Sequence, residues 1–243
     1  MGEEQSPSDV GGGNVPFSEG DFLLIEYTVT TKEDGKVVDT TSEEEAKKAG
    51  IYSPDEEYGA KLVILGEGTL LKPVEEALKR ADVSQEVVVE VPPEQAFGPR
   101  DPNKVRVVPL RELLRRNITP RINEVVEIDG QKAIVRAITG GRVLLDFNHP
   151  LAGKTLVFRV RIVKKIEDLS EKLKELLHRW ATSLKREDIG VKIEGSKVTI
   201  ELPRTAVNVD NLGAVLRLFI RDVKKYIKDV TEITFIEKVP LAE

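Results

Sequence analysis

The stretch Asn148-His149-Pro150-Leu151-Ala152-Gly153-Lys154-Thr155-Leu156-Val157-Phe158-Arg159-Val160 places the tightest constraint on this chain: a polar turn that runs directly into an alternating strand. An earlier turn, Pro92-Pro93-Glu94-Gln95-Ala96-Phe97-Gly98, also ends on an aromatic. Residues 101–146 between them differ in character from both flanks, and residues 154–166 return to the pattern that precedes Gly98. A chain that leaves one unit and re-enters it must close that unit around an insertion.

The 243 residues suffice for two to three small domains, and 40% hydrophobic with 33% charged residues suits a globular chain with a real core. There is no cysteine, so disulfides and thiolate chemistry are excluded, and two histidines, His149 and His178, cannot build an all-histidine metal site. Neither a metal nor a cofactor is expected. Residues 1–60 carry 15 acidic and 4 basic side chains, a balance of −11, whereas residues 101–146 carry 6 acidic and 9 basic, a balance of +3. Neither pattern is a nucleic-acid footprint, and 5% aromatics are too few for a base-stacking platform. The chain shows no apolar run of membrane-spanning length, and its acidic, Gly-rich start is no secretory signal. No nucleic acid, no membrane and a cytoplasmic location are the expectations. One Met against many Lys, Arg and Glu leans toward a thermophile.

Residues 1–16 read as a disordered leader. Phe22–Thr30 is β-rich, and Asp34-Gly35 is a hairpin turn into residues 36–40. Ser42 with Glu45 fits a capping box for a short helix stopped near Gly50. A strand over residues 61–65, a helix over 73–80 with Pro73 in its first turn, and a strand over 86–91 follow. Within 101–146 the pattern gives a short helix over 110–116 and three strands, around 124–128, 132–138 and 142–147, with turns at Asp129-Gly130 and Gly140-Gly141. Residues 168–187 form an amphipathic helix striped by Leu169, Leu173, Leu176, Leu177, Trp180 and Leu184. A hairpin over 191–202, a second helix capped by Asp210 and a last strand over 231–239 complete an α-β-β-α-β order.

Five blocks carry a resemblance. They are Glu26-Tyr27-Thr28-Val29; Asp34-Gly35-Lys36-Val37-Val38-Asp39-Thr40; Gly66-Glu67-Gly68-Thr69-Leu70-Leu71-Lys72-Pro73-Val74-Glu75-Glu76-Ala77-Leu78; Glu94-Gln95-Ala96-Phe97-Gly98; and the stretch from Asn148. Together, and in this order, they resemble the FKBP-type peptidyl-prolyl isomerases, closest to the SlyD-like and long archaeal branch, in which a chaperone domain interrupts the flap. The resemblance implies an α+β fold: an FKBP-like antiparallel sheet wrapped on a short helix over 17–100 and 147–167. A small β-rich chaperone insert would occupy 101–146, and a C-terminal α-β-β-α-β domain 168–243. It also implies a site. Tyr27 offers its hydroxyl at the pocket edge with Asp39 beside it. Leu70 and Leu71 line the pocket, and the Leu71 N–H binds a substrate carbonyl. Val74 forms the floor, and Phe97, His149, Leu151 and Phe158 complete the wall. Val38 and Val74 stand where the best-known single-domain members have Phe and Trp, which widens the pocket and disfavours a macrolide receptor.

Such a site needs no nucleophile. Rotating an X–Pro amide crosses a barrier of about 18–20 kcal/mol, and the twisted amide has lost its resonance and much of its dipole. An apolar, water-poor cage stabilises that state over the planar amide. The expected partners are unfolded or proline-containing polypeptides, with apolar residues of the insert forming its own core or an exposed peptide-binding groove. The C-terminal stripes serve either packing or self-association, and a homodimer is the expectation. The competing reading is a non-catalytic peptide-binding chaperone on the same scaffold.

Overall fold

A computed structural model describes residues 17–238. The expected leader over 1–16 and the last residue of the expected final strand lie outside these residues. Strands β1 (Phe22–Thr31), β2 (Val37–Thr40), β3 (Lys61–Ile64), β4 (Glu86–Val91) and β9 (Leu156–Ile166) form one sheet in the order β2-β1-β9-β4, with β3 also paired to β1. Between β4 and β9 the chain builds β5 (Val105–Pro109), β6 (Val125–Ile128), β7 (Gln131–Thr139) and β8 (Arg142–Asp146). By its contacts the chain divides into two compact units, and β1, β2, β4 and β9 each run through both. The fold class is α+β.

The first unit comprises the described residues to Thr28, Asp39–Val87 and Arg159 onward. Here β1 and β3 are antiparallel, pairing Phe22 with Ile64 and Leu24 with Leu62. Helix α1 (Glu43–Ala49) is capped by Ser42, whose hydroxyl accepts from Glu45 N–H at 3.3 Å, and ends at Gly50 in the left-handed region, φ 70°. The expected capping box closes only by half. The Glu45 carboxylate accepts from the Thr28 hydroxyl at 2.6 Å, and Ser42 N–H donates to Thr40 Oγ1 instead. Helix α2 (Lys72–Leu78) carries Pro73 at its second position and buries Val74, Glu75 and Leu78.

Helix α4 (Leu169–His178) is capped by Asp168, whose carboxylate accepts from Glu171 N–H. It stops well short of the expected 187. His178 Nδ1 contacts the Leu184 carbonyl at 2.7 Å, so the chain folds back on itself through residues 179–184. Leu184 is still fully buried, but it reaches the core from a turn. Strands β10 (Gly190–Glu194) and β11 (Lys197–Leu202) form the expected hairpin. Helix α5 (Leu212–Tyr226) returns the chain to pair β12 (Glu232–Glu237) parallel to β11. The expected cap on Asp210 is corrected. Asn211 occupies the N-cap at φ 54° with no side-chain capping bond, a conformation Asn tolerates better than most residues. The core does not stop at residue 168: Phe22 and Ile64 share one cluster with Leu173, Leu177 and Phe219. Phe22 also meets Tyr226 edge to face, with ring centroids 6.1 Å apart.

The second unit comprises Val29–Val38 and Val88–Phe158. Its four-stranded sheet runs β5-β8-β7-β6, one strand more than expected. Helix α3 (Leu110–Arg115) places Leu113 against Val126, Ala133, Val135, Val143 and Leu145. Asp129-Gly130 (φ 52° and 75°) and Gly140-Gly141 (56° and 74°) are two-residue turns with both φ positive, the geometry that suits strand twist.

Candidate active site

Each expected site residue takes its place from a local feature. In the first unit Tyr27 sits on β1, half-buried, its backbone fixed to Thr41 by a pair of bonds of 2.9 Å. Its hydroxyl donates to Asp39 Oδ2 at 3.0 Å. Burial, then the charge and hydrogen bond of Asp39, then the charge of Glu56 push the phenol well above its ordinary value. Tyr27 therefore remains a neutral donor, and its one proton is already directed at Asp39.

Leu70 and Leu71, both half-buried, end the loop that begins at Gly66-Glu67-Gly68. Gly66 and Gly68 have φ 82° and 80°, a region open to glycine, and two tethers bind the loop at its middle. One is Gly68 N–H donating to Glu75 Oε1 at 3.2 Å; the other is the Glu67 carboxylate on Arg179, at 2.9 Å to both oxygens. Leu71 is the N-cap of α2, so its N–H lies ahead of the helical ladder and is available in principle to a substrate carbonyl. Val74, on the next turn, is fully buried.

In the second unit the Phe97 and His149 rings stack in parallel, with centroids 4.1 Å apart. His149 Nδ1 accepts from Leu151 N–H at 3.2 Å, which leaves Nε2 as the ring donor. Phe97 is 41% exposed and Phe158, on β9, only 8%. Leu151 and Val38, on β2, are half-buried. Gly153 closes this turn: its N–H donates to the Gly98 carbonyl at 2.8 Å, and a side chain there would sit 3.2 Å from Arg100 Cβ. Thus the bonds and stacks bring Tyr27 to Asp39, and Phe97 to His149 and Leu151.

Sequence reasoning missed the residues that hold this turn. Asp146, at the end of β8, is 1% exposed. Its Oδ1 accepts from both Asn148 N and Asn148 Nδ2, at 3.1 and 2.9 Å, and its Oδ2 from Arg100 and Arg136, at 2.8 and 3.1 Å. Asn148 in turn bonds the Asp101 backbone in both directions at 2.9 Å. Asp101 precedes β5 and Asn148 follows β8. These bonds join segment 98–102 to segment 148–150. The signal was there to read: an acidic residue directly after the apolar run Val143-Leu144-Leu145.

Tyr27 also borders a cleft of about 550 Å³ lined by Glu26, Thr28, Glu45, Arg159 and Arg161. Arg161 pairs with Glu26 at 2.5 Å, and such a charged lining is the opposite of what a twisted amide needs. Among the described residues no three acidic, His or Cys side chains cluster as a metal site, and no helix is long and apolar enough to cross a membrane.

Comparison with known proteins gives the family. Residues 106–151 match the family model described as FKBP26, IF domain, and residues 169–240 match FKBP26_C-terminal. A short-type peptidyl-prolyl cis-trans isomerase of Methanocaldococcus jannaschii is 35% identical over 146 residues, 60% of this chain and 92% of that protein. The FKBP-type isomerase SlyD of Aeromonas hydrophila is 35% identical over 142 residues, 58% of this chain and 60% of its own. A probable FKBP-type 16 kDa isomerase of Pseudomonas fluorescens is 32% identical over 105 residues, 41% of this chain and 68% of its own. With an isomerase covered almost end to end at this identity, the chain belongs to the FKBP-type peptidyl-prolyl cis-trans isomerases.

Proposed function

We propose that this protein accelerates X–Pro isomerisation during protein folding, through Tyr27, Asp39, Phe97, His149 and Phe158 with Val38, Leu70, Leu71, Val74 and Leu151. The observation that carries the reading is the chemical character of the set. It offers a neutral phenol, an imidazole, aromatic faces and aliphatic walls, with no nucleophile–base pair, and amide rotation asks for no more than this. A thousandfold acceleration requires only about 4 kcal/mol of differential stabilisation. The test is proline-limited refolding of an unfolded protein. The intact chain accelerates it, and Tyr27→Ala with Phe158→Ala removes most of that effect. No acceleration by the intact chain would leave the non-catalytic chaperone reading in its place.

We assign client binding to the insert over 101–146, between an isomerase body over 17–100 and 147–167 and a C-terminal domain from 168. One face of its sheet supports this. Val107 pairs with Leu144, Leu144 with Ala137, and Ile134 with Val125, so these side chains share the face opposite Leu113. Val107 and Val125 are each 60% exposed. Two short apolar rows on this face, Val107–Leu144–Ala137 and Val125–Ile134, suit an extended unfolded segment, and the surplus of basic side chains favours acidic stretches within it. A homodimer through the C-terminal domain, in the cytoplasm, completes the proposal. The stripes of α4 and α5 are largely spent on the core, so the contact would draw on side chains such as Ile193 and Val207, 40% and 55% exposed. Gel filtration of the full chain tests this: a monomer-sized peak rejects the dimer.

A further inference from the structure

The tether from Glu67 to Arg179 belongs to a charged cluster at the end of α4. Arg179 follows the helix, and its Nη1 lies 2.9 Å from both carboxylate oxygens of Glu67. The side chains are only 23% and 14% exposed, so the pair is largely withdrawn from water. Arg179 is itself held in one orientation. Its guanidinium and that of Arg221 lie 5.5 and 5.2 Å from the Trp180 ring. The indole N–H donates to buried Asp222 at 2.7 Å, and Asp222 stands 4.0 Å from Arg179 Nη1. This anchoring is far more than a surface ion pair between two long, free side chains would have.

What the anchor holds is the loop that becomes Leu70 and Leu71. Its two glycines sit at positive φ, and toward α2 it is tied by Gly68 N–H to Glu75 and by the Leu71 carbonyl, which accepts from the Val74 and Glu75 N–H groups, so its middle at Glu67 is held by Arg179. We propose that Arg179 is a positioning residue of the isomerase site: by holding Glu67 it fixes loop 66–71, and with it the Leu70 side chain and the Leu71 N–H. The inference rests on the isomerase reading of Leu70 and Leu71. It gives the C-terminal segment a part in substrate binding, because a small displacement of a binding group is costly to turnover.

The test measures kcat and KM on a short X–Pro peptide with the full chain. It compares wild type, Arg179→Met, Glu67→Gln, the double variant, Arg179→Lys and Phe158→Ala. Each of the first two should lower kcat/KM about tenfold, chiefly through KM, and the double variant should be no worse than either. Arg179→Lys should recover part of the loss. Glu67→Gln keeps the shape of the side chain and tests the same contact should Arg179→Met fail to fold. A purely structural pair would lower the unfolding temperature and leave KM unchanged while the protein is folded. Wild-type KM in Glu67→Gln and Arg179→Met, or additive losses in the double variant, would overturn the proposal while Phe158→Ala still abolishes activity. Full activity in Phe158→Ala would instead overturn the isomerase site reading, and this inference with it.

Discussion

Replacing Asp146 by alanine removes the acceptor that Arg100, Arg136 and Asn148 share. Arg100 and Arg136 are 51% and 37% exposed and regain water, so each lost ion pair costs about 0–1 kcal/mol. Asn148 is 8% exposed and has no such recourse. Its side-chain amide keeps the bond to the Asp101 carbonyl, but its backbone N–H loses its acceptor, at about 1–3 kcal/mol. The sum is about 3 kcal/mol, a large share of what a small domain has. Asp146→Asn keeps an oxygen for Asn148 and presents an amide to two guanidinium groups, so it should cost less. Amide hydrogen exchange on the intact chain reads the effect directly. A loss of about 3 kcal/mol accelerates opening-limited exchange in β7 and β8 about a hundredfold, while β10–β12 change little. Acid supplies a second readout. Burial of the Asp146 carboxyl acts to raise its pKa, but the hydrogen bonds from Asn148 and Arg136 and the charge of Arg100 outweigh it and hold it below the usual range. A carboxyl depressed in the folded state lends stability that is present above the unfolded value near pH 4 and is lost as pH falls through the folded one. Wild type should therefore loosen locally in that acid window, and Asp146→Asn should lack this component. Exchange in Asp146→Ala within threefold of wild type, or accelerated equally in β10–β12, would refute the reasoning.

Tyr27→Phe should cost under about 1 kcal/mol of stability, because Asp39 is exposed and regains water, yet lower kcat/KM on a short peptide several-fold. Because the Tyr27 phenol is raised in the folded state, its stabilising effect is complete below about pH 10 and fades only above it. Thermal unfolding should therefore show the same Tyr27 contribution at pH 7 and pH 9, and a Tyr27-dependent change between them would contradict the assignment. Val107→Glu with Val125→Glu should abolish suppression of aggregation of an unfolded client and leave short-peptide isomerisation intact. Equal loss of both activities would argue against a division of labour between insert and body.

Much of the fold is legible in the sequence because its signals are local. Asp34-Gly35, Asp129-Gly130 and Gly140-Gly141 demand turns wherever they occur, and Ser42 and Asp168 cap the helices that follow them. β5 is not legible, because Val105–Pro109 is a short run flanked by prolines whose identity as a strand depends on the distant β8. α4 reads too long because Trp180 and Leu184 continue its stripe at helical spacing while reaching the core from a turn. The ten site residues come from the ordered motifs and their resemblance, since Phe97 or His149 alone reads as a strand-end or loop residue. The bonds from Asn148 to Asp101 and from Arg179 to Glu67 join residues far apart in the chain and carry no spacing rule.

The central claim is that this chain lowers the barrier to X–Pro rotation through an apolar, hydrogen-bonding site. Exchange spectroscopy on a short X–Pro peptide tests it most directly, because no client protein or chaperone surface takes part. The intact chain should accelerate cis–trans exchange by about three orders of magnitude, equivalent to about 4 kcal/mol, and Phe158→Ala should lose most of that gain while remaining folded. An exchange rate equal to that of the peptide alone would contradict the account.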